Sequence, residues 1–136
     1  MPHLVERLEP RRLLVVNPVA YWAFEEGTGT TTADSSGNNN VGSLVNGAAF
    51  GQGLIARYAM SFADTAYVQV DNASVLNPTS AISVSAWINA TDWNGNRRVV
   101  QKGNSDNQYR LLAEGGVFKF HVAGRGTAQA ALPSLE

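Results

Sequence analysis

The stretch Val19–Asn46, VAYWAFEEGTGTTTADSSGNNNVGSLVN, constrains the fold more than any other part of the chain. An aromatic-rich run, Val19–Phe24, enters a Gly/Thr loop. That loop closes on Asp34-Ser35-Ser36-Gly37-Asn38-Asn39-Asn40, and an apolar run resumes at Val41. Short apolar runs divided by Gly, Asn and Asp predict strands joined by turns, because those residues supply turn conformations at little steric cost.

The pattern continues to the end of the chain. Strands are expected at Val19–Phe24, Val41–Val45, Leu54–Phe62, Tyr67–Val70, Ile82–Ile88, Arg97–Lys102, Gln108–Ala113 and Val117–Val122. Period-two alternation is clearest in two of them. Ile82, Val84, Ala86 and Ile88 share one face of the first, and Phe118, Phe120 and Val122 share one face of the second. Lys119 and His121 point the other way, as in a half-buried antiparallel strand. Turn signals separate the runs, among them Asn94-Gly95-Asn96 and Gly115-Gly116. One helical turn is expected within Asn72–Pro78, and no long run has helical spacing. Many short strands with frequent turns predict an all-β antiparallel sandwich or jelly roll.

With 136 residues the chain supports one domain. Only 15% of residues are charged, below the roughly 25% usual for soluble proteins. Asn, Ser, Thr and Gly fill the difference, which suits an extracellular β-protein. The net charge is −1, and no basic run exceeds a pair of arginines, so nucleic acid is not an expected partner. No run is apolar for the length of a membrane span. Without cysteine there is neither a disulfide framework nor thiolate chemistry.

The opening motif resembles that of LamG-like, concanavalin A-type jelly-roll domains. Met60-Ser61-Phe62-Ala63-Asp64-Thr65-Ala66-Tyr67-Val68-Gln69-Val70 is similar to the family's aromatic, Asp-turn and Tyr-Val segment. Ile82–Ile88 resembles its Val-Ser-Ala-Trp strand. Val99–Gly103 and Gly116–Phe120 continue in the family's order, so the resemblance covers Val19 to about Gly126. It implies a binding module of secreted or surface proteins. In the family further strands follow one like Val117–Val122. The resemblance therefore implies a domain, residues 19–136, that is incomplete at its C-terminal end, with marginal stability and a tendency to aggregate.

Residues 1–18 form an expected N-terminal arm. Its run Leu8-Glu9-Pro10-Arg11-Arg12-Leu13-Leu14 resembles the LEPR-XLL motif near the start of large bacterial surface and secreted proteins, an association with export. The arginine pair is not expected to be a Tat signal, because Leu13–Val16 is too short for an apolar region of about 7–15 residues.

Three groups could carry chemistry. Asp34–Asn40 gathers a carboxylate, hydroxyls and amides, hard oxygen donors of the kind calcium takes. The resemblance implies a structural calcium here, with Asp34 and Asn38 as ligands. The alternative is a turn whose side chains bond their own backbone. Trp22 and Trp87, inside expected strands, are expected to be structural. Trp93 lies in the polar loop Thr91–Asn96, so Trp93, Asp92 and Asn94 are the expected ligand contacts. The acids do not form a catalytic pair. Glu25 and Glu26 are adjacent, so in a strand they face opposite ways, whereas retaining glycosidases need two carboxyls about 5–5.5 Å apart. His3 and His121 lack partners for a triad or a zinc site.

The expected function is a non-catalytic extracellular or cell-surface module that binds carbohydrate or an extracellular protein through loops on a rigid scaffold. The alternatives are a structural or adhesion spacer of a large surface protein, and a fragment of a glycoside hydrolase.

Overall fold

The computed structural model describes residues 17–104 and 108–132. The LEPR-XLL-like run lies outside the described residues. The structure is all-β with antiparallel sheets, and it contains no α-helix among the described residues. It divides into two compact units between Leu76 and Asn77.

The first unit holds two small sheets. One runs in the order β1 (Thr31–Thr32), β2 (Gly42–Val45) and β5 (Tyr67–Val70); the other pairs β3 (Ala49–Gln52) with β4 (Tyr58–Ser61). β2 is central and has a partner on each edge. Thr32 pairs with Gly42 on one side and Val70 pairs with Gly42 on the other. A Cβ at Gly42 would sit 2.5 Å from Val68 Cγ1 and 2.8 Å from Thr32 Cγ2. Both neighbours are β-branched and stiff, so only glycine lets the three strands close. A 3-10 turn, Ser74–Leu76, occupies the expected helical turn and buries Leu76.

The second unit is a four-stranded meander. β6 (Asn96–Lys102), β7 (Tyr109–Glu114), β8 (Val117–Val122) and β9 (Gly126–Ala131) follow in chain order. The register pairs Leu111 with Phe120 and Ala113 with Phe118, and Phe120 with Ala128, so one face is apolar across β7, β8 and β9. The other face carries Arg110, Leu112, Lys119 and His121. Leu112 is only 2% exposed there, and Ala113 is fully buried. The turn from β7 to β8 is Gly115-Gly116, with φ of 62° and 80°. A two-residue hairpin whose central residues both have positive φ matches strand twist, and glycine adopts it without strain. β6 is irregular between Arg98 and Val100, which carries an extra residue there.

Two expected strands join no ladder. Val19–Phe24 spends its backbone on a neighbouring loop, as described below. Ile82–Ile88 is neither helix nor ladder strand. Trp87, expected to be a packed strand residue, is 88% exposed. Alternation sets which side chains can share a face, but a strand also needs a partner edge, and the described residues provide none for this segment. Leu54 and Ile55 in the approach to β4 are also exposed. Three strands were not expected from the sequence: β1, β3 and β9. β9 reads Gly-Thr-Ala-Gln-Ala-Ala, which lacks the bulky residues that mark strands, and all of it is exposed.

Two predictions follow from packing. Gly42→Ala should destabilise the protein by about 1–3 kcal/mol through overpacking between β1 and β5. Chemical denaturation reads this, and an unchanged midpoint would mean that the sheet yields at no cost. Trp87→Ser should leave the midpoint almost unchanged, within about 0.5 kcal/mol, as expected for a surface site. It should also remove the most red-shifted tryptophan fluorescence; a large loss of stability would show that the indole is packed.

Candidate functional site

The loop of the opening motif is built around one carboxylate. Asp34 Oδ1 accepts from the Tyr21 N–H at 2.8 Å and the Ser36 N–H at 2.9 Å. Asp34 Oδ2 accepts from the Ser36 hydroxyl at 2.8 Å, the Asn40 N–H at 3.0 Å and Asn40 Nδ2 at 2.7 Å. The Val19 carbonyl collects the Ser36 hydroxyl and the amides of Asn38 and Asn40, at 3.2, 3.1 and 3.1 Å. Ser35 N–H donates to the Tyr21 carbonyl at 2.7 Å, and Trp22 Nε1 donates to the Asn40 carbonyl at 2.7 Å. The loop thus gives Val19–Trp22 the hydrogen bonds that a neighbouring strand would ordinarily supply. Trp22 is structural, as expected, but through this clamp.

Partial burial works to raise the Asp34 pKa. The bonds from Tyr21, Ser36 and Asn40 outweigh it and hold the carboxyl far below the ordinary carboxylate range. This geometry also tests the expected calcium ligands. A carboxylate offers about four lone-pair sites, and five donors already face this one. Calcium takes six to eight free oxygens. The donor set fits a loop clamp and does not fit a cation ligand. Asn38 likewise turns its amide nitrogen inward, to Val19 and to Ser36 Oγ. Among the described residues no three His, Cys, Asp or Glu side chains are grouped for a metal.

The other expected site lies in the second unit, on the turn before β6. Trp93 folds back onto Phe118, edge to face, with ring centroids 5.1 Å apart and planes at 74°. It is half-buried, and its Nε1 is enclosed without a hydrogen-bond partner among the described residues. Asp92 Oδ1 accepts from the Asn94 N–H at 2.8 Å and from Arg97 Nη2 at 3.0 Å. The Arg97 bond and then the Asn94 N–H lower its pKa. Asn94 is exposed. The three residues do come together, but on a turn pinned by Arg97 and with the indole turned inward.

Three further acids, Glu26, Glu25 and Glu114, serve the framework. Glu26 Oε1 accepts from Ala33 N–H at 2.6 Å and from the hydroxyl of fully buried Thr32 at 3.0 Å. Partial burial raises its pKa, and these bonds together lower it. Both Glu25 carboxylate oxygens lie 3.4 Å from the Tyr58 N–H. Glu114 pairs with Lys119 at 3.0 Å and accepts from Asn96 Nδ2 at 2.9 Å, and Lys119 is the main cause of its lowered pKa. His121 Nδ1 lies 2.8 Å from Thr127 Oγ1 across β8 and β9.

A concavity in the first unit joins Asn38 and Asn39 of the Asp34–Asn40 loop to Asp71 and Asn72, which the sequence did not single out as site residues. It is lined by Asn38, Asn39, Val41, Val70, Asp71 and Asn72, among others. The Gly42–Val70 pairing brings the two chain segments together just beyond the ends of β2 and β5. Asp71-Asn72 after a strand was the only local signal. Its proximity to Asn39 follows from a pairing between strands far apart in sequence.

Residues 62–136 match the family model of the concanavalin A-like lectin/glucanases superfamily, which is more than half of the chain. A crystal structure of an S-layer domain-containing protein from Clostridium thermocellum has a similar fold, with a TM-score of 0.63 and 20% identity. The likeness covers 86% of this chain, which spans only 58% of that structure. Among curated proteins no relative matches.

Asp34→Asn should cost about 2–4 kcal/mol, since an amide cannot accept from all these donors and bonds to charged groups contribute most. The folded pKa of Asp34 is depressed. Its stabilisation is therefore complete above the unfolded value of about 3.9 and is lost as pH falls through the folded value. Thermal melts from neutral to acid pH should show a shallower acid loss in the variant. Calcium should leave the wild-type melting temperature unchanged; a rise that Asp34→Asn abolishes would restore the cation.

Proposed function

The chain belongs to the concanavalin A-like lectin/glucanases superfamily, and from that membership we propose that it is a non-catalytic binding module displayed outside the cell, which takes carbohydrate through the loops at the ends of its strands. The superfamily is named for lectins and glucanases alike, so the acids decide between them. Glu26, Asp34, Asp92 and Glu114 are all spent on framework bonds. A general acid or nucleophile needs a carboxyl that can meet substrate. Among the described residues Asp64 and Asp71 are left exposed and unbonded, so the non-catalytic reading is carried by the commitment of the other acids.

The surface location is supported by the sparse charge of the chain, by the fold it shares with the S-layer domain-containing protein, and by the LEPR-XLL-like run. Among the described residues no helix is long and apolar enough to cross a membrane. The same likeness favours a second reading, a structural or adhesion unit in a surface layer that takes no small ligand.

A glycan array probed with the full chain separates the two. Retention of a defined glycan class is expected. Silence across the array, together with self-association or retention on whole cell-wall preparations, would favour the structural unit. Release of reducing sugar from any bound glycan would overturn the non-catalytic assignment.

A further inference from the structure

We propose that the concavity between Asn38–Val41 and Val70–Asn72 is a subsite for one neutral sugar ring, with Asp71 and Asn39 as the residues that read its hydroxyls. The assignment rests on the carbohydrate reading above and gives it a place and a chemistry.

Four observations converge on this surface. The first is unspent hydrogen bonding. Among the described residues the exposed Asp71 carboxylate and the exposed Asn39 amide carry no hydrogen bond, while the acids of the framework are committed. A carboxylate only accepts, whereas an amide both accepts and donates. Adjacent sugar hydroxyls need that mixture, since each can give one hydrogen and receive another.

The second is an apolar wall. Val41 is partly exposed and Val70 lies beside it in the same concavity. Their methyl groups offer a surface for the C–H face of a ring.

The third is a floor set before any ligand arrives. The amides of Asn38 and Asn40 both donate to the Val19 carbonyl at 3.1 Å, and Asn40 is only 4% exposed. Asn39 stands between them with φ of 58°. Asn is among the few side chains that tolerate this left-handed conformation. Its neighbours are tied down and its own amide is free, so little ordering remains to be done on binding.

The fourth is size. The concavity holds about 220 Å³, below the roughly 300–1,000 Å³ of sites for larger ligands. That suits a single ring at a chain end better than an internal stretch of polysaccharide. The charge is wrong for an anion, because the one ionised group among the named lining residues is a carboxylate.

Isothermal titration of the full chain with a panel of neutral monosaccharides, supported by saturation-transfer NMR, tests the proposal. At least one sugar should bind at millimolar concentration. Asp71→Ala should weaken it by about tenfold or more, as expected for the loss of a charged hydrogen-bond acceptor. Asn39→Gly should weaken it similarly without backbone strain, because glycine accepts the positive φ. Asp71→Asn keeps the shape, loses the charge and should fall between wild type and Asp71→Ala. Asp64→Asn, an exposed acid of the same unit, should change nothing. Melting curves of all variants should overlay. Sugar or array binding undiminished in both Asp71→Ala and Asn39→Gly would overturn this subsite and leave the binding module standing. Calcium binding lost in Asp71→Ala, with no sugar response, would replace the sugar by a cation. No binding to any monosaccharide or glycan would remove both the subsite and the carbohydrate reading.

Discussion

The first unit depends on a carboxylate that does the work of a strand. Asp34 receives five hydrogen bonds, and the Val19 carbonyl beside it receives three more, all but the Tyr21 N–H from a single short loop. Backbone groups removed from water must find partners, and a ladder is only the commonest way to supply them. Here the side chains of Ser36, Asn38 and Asn40 satisfy the Val19 carbonyl, and Asp34 and the Ser35 N–H satisfy Tyr21, in place of a ladder. The ionised carboxylate makes the arrangement strong, because charge-assisted bonds exceed neutral ones. A motif that reads as a set of cation ligands is thereby satisfied by N–H and O–H groups.

The same economy governs the rest of the chain. The buried apolar residues among those described are few, namely Ala48, Leu76, Leu112 and Ala113. Hydrogen-bonded detail, such as Thr32 on Glu26 and Trp22 on Asn40, therefore matters more than in a large core. Acids committed to such detail are poor candidates for chemistry. This explains how a superfamily that includes glucanases can contain a member whose carboxylates hold loops in place. Asp71 and Asn39 are among the polar groups that the framework leaves over.

Much of the architecture was legible. Tyr67–Val70 and Val117–Val122 form strands with the bounds expected from their alternation, and β2, β6 and β7 differ by a residue or two at their ends. Alternating apolar side chains and Gly-rich turns are local properties. Partner supply is not local. Ile82–Ile88 alternates as well as β8 does, yet it joins no ladder and exposes Trp87. Gly126–Ala131 hardly alternates in character, yet it pairs along its whole length because β8 offers an open edge beside it. The site was less legible for the same reason. Trp93 sits in a polar loop, which suggested exposure, but Phe118 lies where the indole can pack on it.

The sequence by itself determined the class of fold, the turns, the absence of thiol and basic-patch chemistry, and the importance of the Asp34–Asn40 loop. Composition and period-two patterning carry that information residue by residue. Only the tertiary structure decided what Asp34 binds, which way Trp93 faces, and that Asn39 and Asp71 line one concavity. Those outcomes depend on distances between segments far apart in the chain, which strand register sets and local pattern does not record.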